Sequence, residues 1–200
     1  MLASSIESLS KRKYHMKKRL FLLNSSFSLF FLSCMAGSNE CSSCLLLYEL
    51  GKYEQAFNCY KELGEKGDSL AQLNLGIFYH TGCGVEKNDV EAVKWYKLAA
   101  EKGDSDAQDR LGHCYQKHTG VDEDPEKAFF WYMKAARQNH QKALYNVGIC
   151  YLSGYGVEKN VEEGIRWMKK SADTGYMPAI ELVKFMESNP DKVKQLKEKP

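Results

Sequence analysis

The chain of 200 residues reads as an all-α fold, a right-handed α-solenoid of stacked antiparallel helix pairs. Two observations predict it. Trp95, Trp131 and Trp167 follow one another at steps of 36 residues. Gly76, Gly112 and Gly148 keep the same step, as do Tyr79, Tyr115 and Tyr151, and Val85, Val121 and Val157. Inside each step, apolar residues recur at helical spacing and are interrupted once by a turn signal. A fixed period in the range of about 20 to 50 residues is what stacked helix pairs leave in a sequence, because a single pair cannot bury its own apolar face.

The elements follow in chain order. Leu50-Gly51-Lys52-Tyr53-Glu54-Gln55-Ala56 and Tyr60 resemble the short turn and second helix of an ordinary tetratricopeptide repeat, and residues 40–68 are therefore read as a first, short-looped repeat. In residues 69–104, Ala71, Leu75 and Tyr79 lie on one helical stripe, here called helix A. The segment Thr81-Gly82-Cys83-Gly84-Val85 breaks that helix. Asn88 then caps a helix B, with Glu91 as its capping-box partner. Ala92, Trp95, Tyr96 and Ala99 are the apolar face of helix B, and Gly103 ends it in a left-handed cap.

The unit 105–140 repeats the plan with Asp124-Pro125 as N-cap and first helical residue, and Asn139 as stop. The unit 141–176 repeats it with Asn160, Glu163 and Gly175. Gly76, Gly112 and Gly148 are expected where helices A and B cross closely, and Val85, Val121 and Val157 are expected to plug each loop onto the core. The tryptophans are read as core residues that fix the register. Residues 177–197 are expected to cap the array, with a helix over Pro178–Ser188 and a polar helical tail.

The pattern A-x-x-x-L-G-x-x-Y, G-x-G-V, A-x-x-W-Y-x-x-A-A and a closing glycine resembles the Sel-one-like repeat (SLR), a longer-looped relative of the tetratricopeptide repeat. It is carried by Ala71, Leu75-Gly76, Tyr79, Gly84-Val85, Ala92, Trp95-Tyr96 and Ala99-Ala100, and recurs in 105–140 and 141–176. His118 departs from the pattern where the other loops have glycine, and Gly164 where helix B has alanine. The resemblance implies a non-catalytic scaffold or adaptor that holds a protein or peptide partner in the concave groove lined by helix A. The groove positions are then Leu73, Ile77 and His80; Asp109, His113 and Gln116; and Tyr145, Ile149 and Leu152. Two apolar sets flanking a polar one imply a partner with hydrophobic anchors around a polar or basic centre. The resemblance also implies an alternative, a secreted penicillin-binding or β-lactam-hydrolysing activity found with a regular cysteine pair in each repeat. Here Cys59, Cys83, Cys114 and Cys150 fall at three different repeat positions.

Charge separates along the chain. Residues 1–36 hold six Lys or Arg (Lys11, Arg12, Lys13, Lys17, Lys18, Arg19) against Glu7 alone, which leaves the remainder at a net −3. An acidic body gives no reason to expect nucleic-acid binding. The basic cluster precedes Leu20–Met35, a run too short and too interrupted by Asn24, Ser25, Ser26 and Ser28 for a membrane span. Residues 1–36 therefore read as an export signal cleaved after Ala36, with Met16 as an alternative start. Retention of this segment, or a lipid on Cys34 in Leu32-Ser33-Cys34, would place the chain on a membrane. Without a signal function the chain would be cytoplasmic.

Gly82-x-Gly84 and Gly154-x-Gly156 lack the strand and Gly-Lys-Ser/Thr of phosphate loops. His113 and His118 have poor spacing for a metal. No cofactor, metal site or catalytic set is expected. Cys114 and Cys150 share a repeat position and are expected as buried thiols. Cys41 and Cys44 are expected to close a small disulfide if the chain is exported.

Overall fold

The computed structural model describes residues 40–198; the readings on residues 1–39, including the signal segment, Cys34 and Ala36, lie outside them. The residues from Ser43 onward form one compact unit. Among the described residues the helices are α1 Glu40–Glu49, α2 Tyr53–Glu65, α3 Ser69–Thr81, α4 Asp89–Glu101, α5 Ser105–Lys117, α6 Pro125–Arg137, α7 Gln141–Ser153, α8 Val161–Asp173, α9 Met177–Ser188 and α10 Pro190–Glu198. The pairs α3/α4, α5/α6 and α7/α8 are the three helix A/helix B units. α4, α6 and α8 each pack on the helix A that follows, so the chain is an α-solenoid. Each of α2 to α8 has 13 residues, about 20 Å of helix.

Both helices of a unit start at a side-chain cap. Asn88 accepts from the Glu91 amide at 3.0 Å, Asp124 from Lys127 at 2.8 Å and Asn160 from Glu163 at 3.0 Å. The reciprocal half of the expected capping box is absent. The Asn88 and Asn160 amides donate to the carbonyls of Tyr79 and Tyr151, both at 2.8 Å, and the Glu91 and Glu163 carboxylates pair instead with Lys94 and Arg166. Helix A is capped at a position the sequence reading passed over: Asp68, Asp104 and His140, again 36 residues apart, accept from Ala71, Ala107 and Ala143.

The crossing glycines behave as expected. A side-chain carbon at Gly76 would lie 2.4 Å from the Tyr96 ring and 3.1 Å from the Ala92 carbonyl oxygen. At Gly112 and Gly148 the corresponding neighbours are Tyr132 at 2.7 Å and Met168 at 2.9 Å. Tyr96, Tyr132 and Met168 are at most 1% exposed, which locates the centre of the core one residue after each tryptophan. Trp131 is buried, whereas Trp95 and Trp167 are only half-buried. The tryptophans lie at the seams. Trp131 joins a cluster with Leu73, Ala100, Ala107 and Leu111, and Trp167 packs against one holding Tyr132 and Ala136. Each indole reaches back to the preceding unit, and that is why its outer edge stays in contact with solvent.

The disulfide differs from the expected one. Cys44 is bridged to Cys59, joining α1 to α2, and not to Cys41. Cys41 and Cys44 are on one helix, while Cys59 comes from the facing helix. Counting back 36 residues from Trp95 gives Cys59. In the first described pair a covalent bond stands at the repeat position that the tryptophans hold in the later units. After the third unit come α9 and α10, a helix and a second, polar helix where a polar helical tail is expected.

Candidate functional site

The nine groove positions on α3, α5 and α7 divide by burial. Ile77, His113 and Ile149 share one repeat position; His113 is exposed and the two isoleucines half-buried. Leu73 is corrected: it is 7% exposed and belongs to the core cluster with Ala107 and Leu111, because it sits where α5 stacks on α3. Leu152 is half-buried, like the two isoleucines. A carbon added at Gly164 would lie 2.7 Å from Leu152 Cγ, so this leucine fills the space left by the missing helix B alanine. Gln116 serves the fold as well, its Oε1 accepting from the Tyr132 hydroxyl at 2.9 Å. His80 is half-buried, with Nδ1 2.7 Å from Asp89 Oδ1. Tyr145 meets Tyr176 edge to face at 5.5 Å.

Asp109 is drawn into the array. Its Oδ1 accepts from the Asn146 amide of the next helix A at 2.9 Å. Burial raises its pKa above the ordinary value against the pull of His140, Asn146, Lys142 and His113. Beside it, partial burial and then Lys117 lower the His113 pKa. Burial works to raise the Asp89 carboxyl, yet hydrogen bonds to His80 and Lys87 outweigh it and leave the group below its usual range.

Asp109 gives a pH prediction. Its folded form holds the proton to higher pH than the unfolded chain, so the associated stability is present in acid and lost as pH rises through the folded pKa. The Asp109→Asn variant lacks that loss while its amide oxygen still accepts from Asn146. Urea midpoints of the two proteins are expected to diverge in favour of the variant between about pH 4 and neutrality. A difference that does not vary with pH would contradict the burial account.

Several contributors carried a legible 36-residue signal that motif reading ignores. Gln72 and Gln108 each donate Nε2 at 3.0 Å to the carbonyl of Gly64 and Ala100 in the preceding helix B. Lys102 donates to the Gly67 carbonyl, and Gln138 to that of Gly103 at 2.9 Å. The Gly64 and Ala100 carbonyls already accept from the Gly67 and Gly103 amides, so the glutamines add a second donor there, and together these bonds tie successive units together. Arg110, also overlooked, is exposed beside Asp109, with its guanidinium carbon 5.9 Å from the centre of the Tyr96 ring.

Chemistry is sparse. Burial pushes the Cys114 and Cys150 thiols up to about 11 and about 12, so neither supplies thiolate near neutrality. Among the described residues no three His, Cys, Asp or Glu converge on a point that could hold a metal, and no helix is long and apolar enough to cross a membrane. A cleft of about 200 Å³ lies at the C-terminal cap, bounded by Ile165, Val183, Met186 and Val193. None of the nine groove positions lines it.

Comparison with known proteins follows the repeat geometry. The Sel1 repeat family model matches residues 69–104, 105–140 and 141–176, the boundaries read from the tryptophan step. No curated protein matches the chain. Among solved structures, the chain is similar to a protective antigen of uropathogenic Escherichia coli that displays an SLR fold, at 38% identity and a TM-score of 0.68, over 70% of this chain and 31% of that one. It is also similar to a Sel1 repeat protein from Oxalobacter formigenes, at 30% identity and a TM-score of 0.69, over 74% of this chain and 63% of that one. The chain thus spans less than two thirds of either relative.

Proposed function

The chain belongs to the Sel1 repeat family, whose members usually serve as protein-interaction scaffolds, and from that premise we propose that it is a non-catalytic scaffold holding a protein or peptide on its helix A face. One observation carries the reading. Leu75, Leu111 and Val147 are identical in burial, all fully enclosed. Two residues on along the same helices, Ile77 and Ile149 flank the polar His113, and all three keep access to solvent. Positions that set the fold repeat, while the positions that face outward vary, as expected of a surface shaped for one partner rather than for stacking.

The test is affinity capture from the native host by the wild-type chain and by Asp109→Ala/Tyr145→Ala, with thermal melts showing that both remain folded. Partner recovery is expected to drop about tenfold or more in the double variant, the scale at which one interface hot spot acts. Equal recovery by the two proteins would refute the groove.

A further inference from the structure

We propose that Arg110, His113 and the Tyr96 hydroxyl form an anion-binding notch between the second and third helix pairs, one that takes an acidic side chain of an extended protein segment. This rests on the groove reading and names the chemistry its centre recognises.

Tyr96 and Tyr132 occupy the same repeat position and are 1% and 0% exposed. The Tyr132 hydroxyl donates to Gln116. Thirty-six residues before Gln116 stands His80, whose ring is taken by Asp89 at 2.7 Å. The Tyr96 hydroxyl is therefore buried with no acceptor among the described residues, and the Arg110 guanidinium approaches it as a donor. A buried hydroxyl left without an acceptor is destabilising, and an acceptor is what it lacks.

The surroundings decide the sign of that acceptor. Arg110 lies over the Tyr96 ring, on the exposed side, and no acidic side chain pairs with it among the described residues. His113 is one helical turn further on and close enough to feel the charges of Arg110, Lys117 and His80. The nearby acids are committed elsewhere: Asp89 to His80 and Lys87, at 2.7 and 3.3 Å, and Asp109 to Asn146 at 2.9 Å. The Arg110 guanidinium, which no acidic side chain pairs among the described residues, thus stands at the hydroxyl that lacks an acceptor. A carboxylate oxygen accepts from the Arg110 guanidinium and, as that long exposed side chain swings toward the ligand, from the Tyr96 hydroxyl. His113 donates from the rim. The acidic residue of the partner thus sits between the apolar neighbours of Ile77 and Ile149. The basic partner centre expected from Asp109 gives way to an acidic one, because Asp109 spends its charge inside the array.

The experiment titrates the full chain with an oligoglutamate peptide at low ionic strength, followed by isothermal calorimetry, with oligolysine and inorganic phosphate as comparisons. Oligoglutamate is expected to bind and oligolysine not to bind. Arg110→Gln is expected to weaken binding about tenfold or more, and Tyr96→Phe about three- to tenfold, while Tyr96→Phe melts no lower than wild type. If Tyr96→Phe gains stability and binds oligoglutamate undiminished, the hydroxyl is a packing flaw only and the notch is overturned. Undiminished binding by Arg110→Gln, absence of binding by the wild type, or displacement by phosphate as effective as by oligoglutamate would each overturn it as well. Loss of host partners by Asp109→Ala/Tyr145→Ala but not by Arg110→Gln would refute the notch alone and leave the scaffold reading standing.

Discussion

Trp131→Ala is expected to cost about 3–5 kcal/mol, a large part of the roughly 5–15 kcal/mol that holds a domain of this size together. The indole is 8% exposed and sits in the cluster that joins Leu73 and Ala100 of the second helix pair to Ala107 and Leu111 of the third. Its loss leaves a cavity at a seam in the middle of the array, where helices on both sides are already anchored and cannot collapse into the gap. A solenoid's stability is the sum of its units and of the interfaces between neighbours, so weakening a central interface uncouples one half from the other. Denaturant unfolding followed by circular dichroism checks this. The variant is expected to unfold at lower urea and over a broader transition than wild type. Trp95→Ala and Trp167→Ala, at half-buried copies of the same position, are expected to cost about half as much. If all three variants lose equal stability, burial at the seam is not what the indole supplies.

The fold was legible because the features that set it are periodic. Any residue that every unit needs recurs at 36 positions, so repeat boundaries, crossing glycines and left-handed stops could be read without knowing any contact. The stops at Gly103, Asn139 and Gly175 all have positive φ, and His118, the residue out of pattern, takes φ +55° as the glycines at its position do. The site was less legible for the same reason. Function on a repeat scaffold resides in positions that do not recur, and a non-recurring residue has no internal reference against which to judge its burial. Leu73 and Leu152 looked like groove anchors because they are apolar and sit on the correct helices. Leu73 is buried by the next helix A, about three dozen residues on, and Leu152 reaches into the space at the unusual Gly164 of the paired helix. Asp109 misled through its charge, since only the fold shows that Asn146, 37 residues on, takes up its oxygen. The Cys44–Cys59 bridge was obscured by the short spacing of Cys41 and Cys44, although placing Cys59 at the tryptophan position would have marked it as facing the preceding helix.

Gly120→Ala is expected to be among the most damaging single-atom additions to the chain, and the comparison with Gly103→Ala separates its causes. Both glycines have positive φ, +71° at Gly120 and +98° at Gly103, so both substitutions carry left-handed strain of about 1–2 kcal/mol. Nothing lies within 4 Å of a side-chain carbon at Gly103, and its cost is expected to stop there. At Gly120 that carbon would lie 2.1 Å from the Asp89 carbonyl oxygen and 2.4 Å from its carbonyl carbon. Those atoms belong to the backbone of the first turn of α4, where no rotamer change can move them away. The loop must lift off the preceding unit, and Val121, which packs on the core beneath it, must lift with it. Overpacking against fixed atoms adds about 1–3 kcal/mol, for a total of about 2–5 kcal/mol. Gly84 and Gly156 meet Tyr53 and Pro125 in the same way, at 2.4 and 2.0 Å. The close approach of each loop to the helix B before it is thus a repeated joint, and the glycine is required there for its missing side chain as much as for its φ. Equal losses in Gly120→Ala and Gly103→Ala, measured by urea unfolding, would show that conformational strain alone explains the glycine and that the joint contributes nothing.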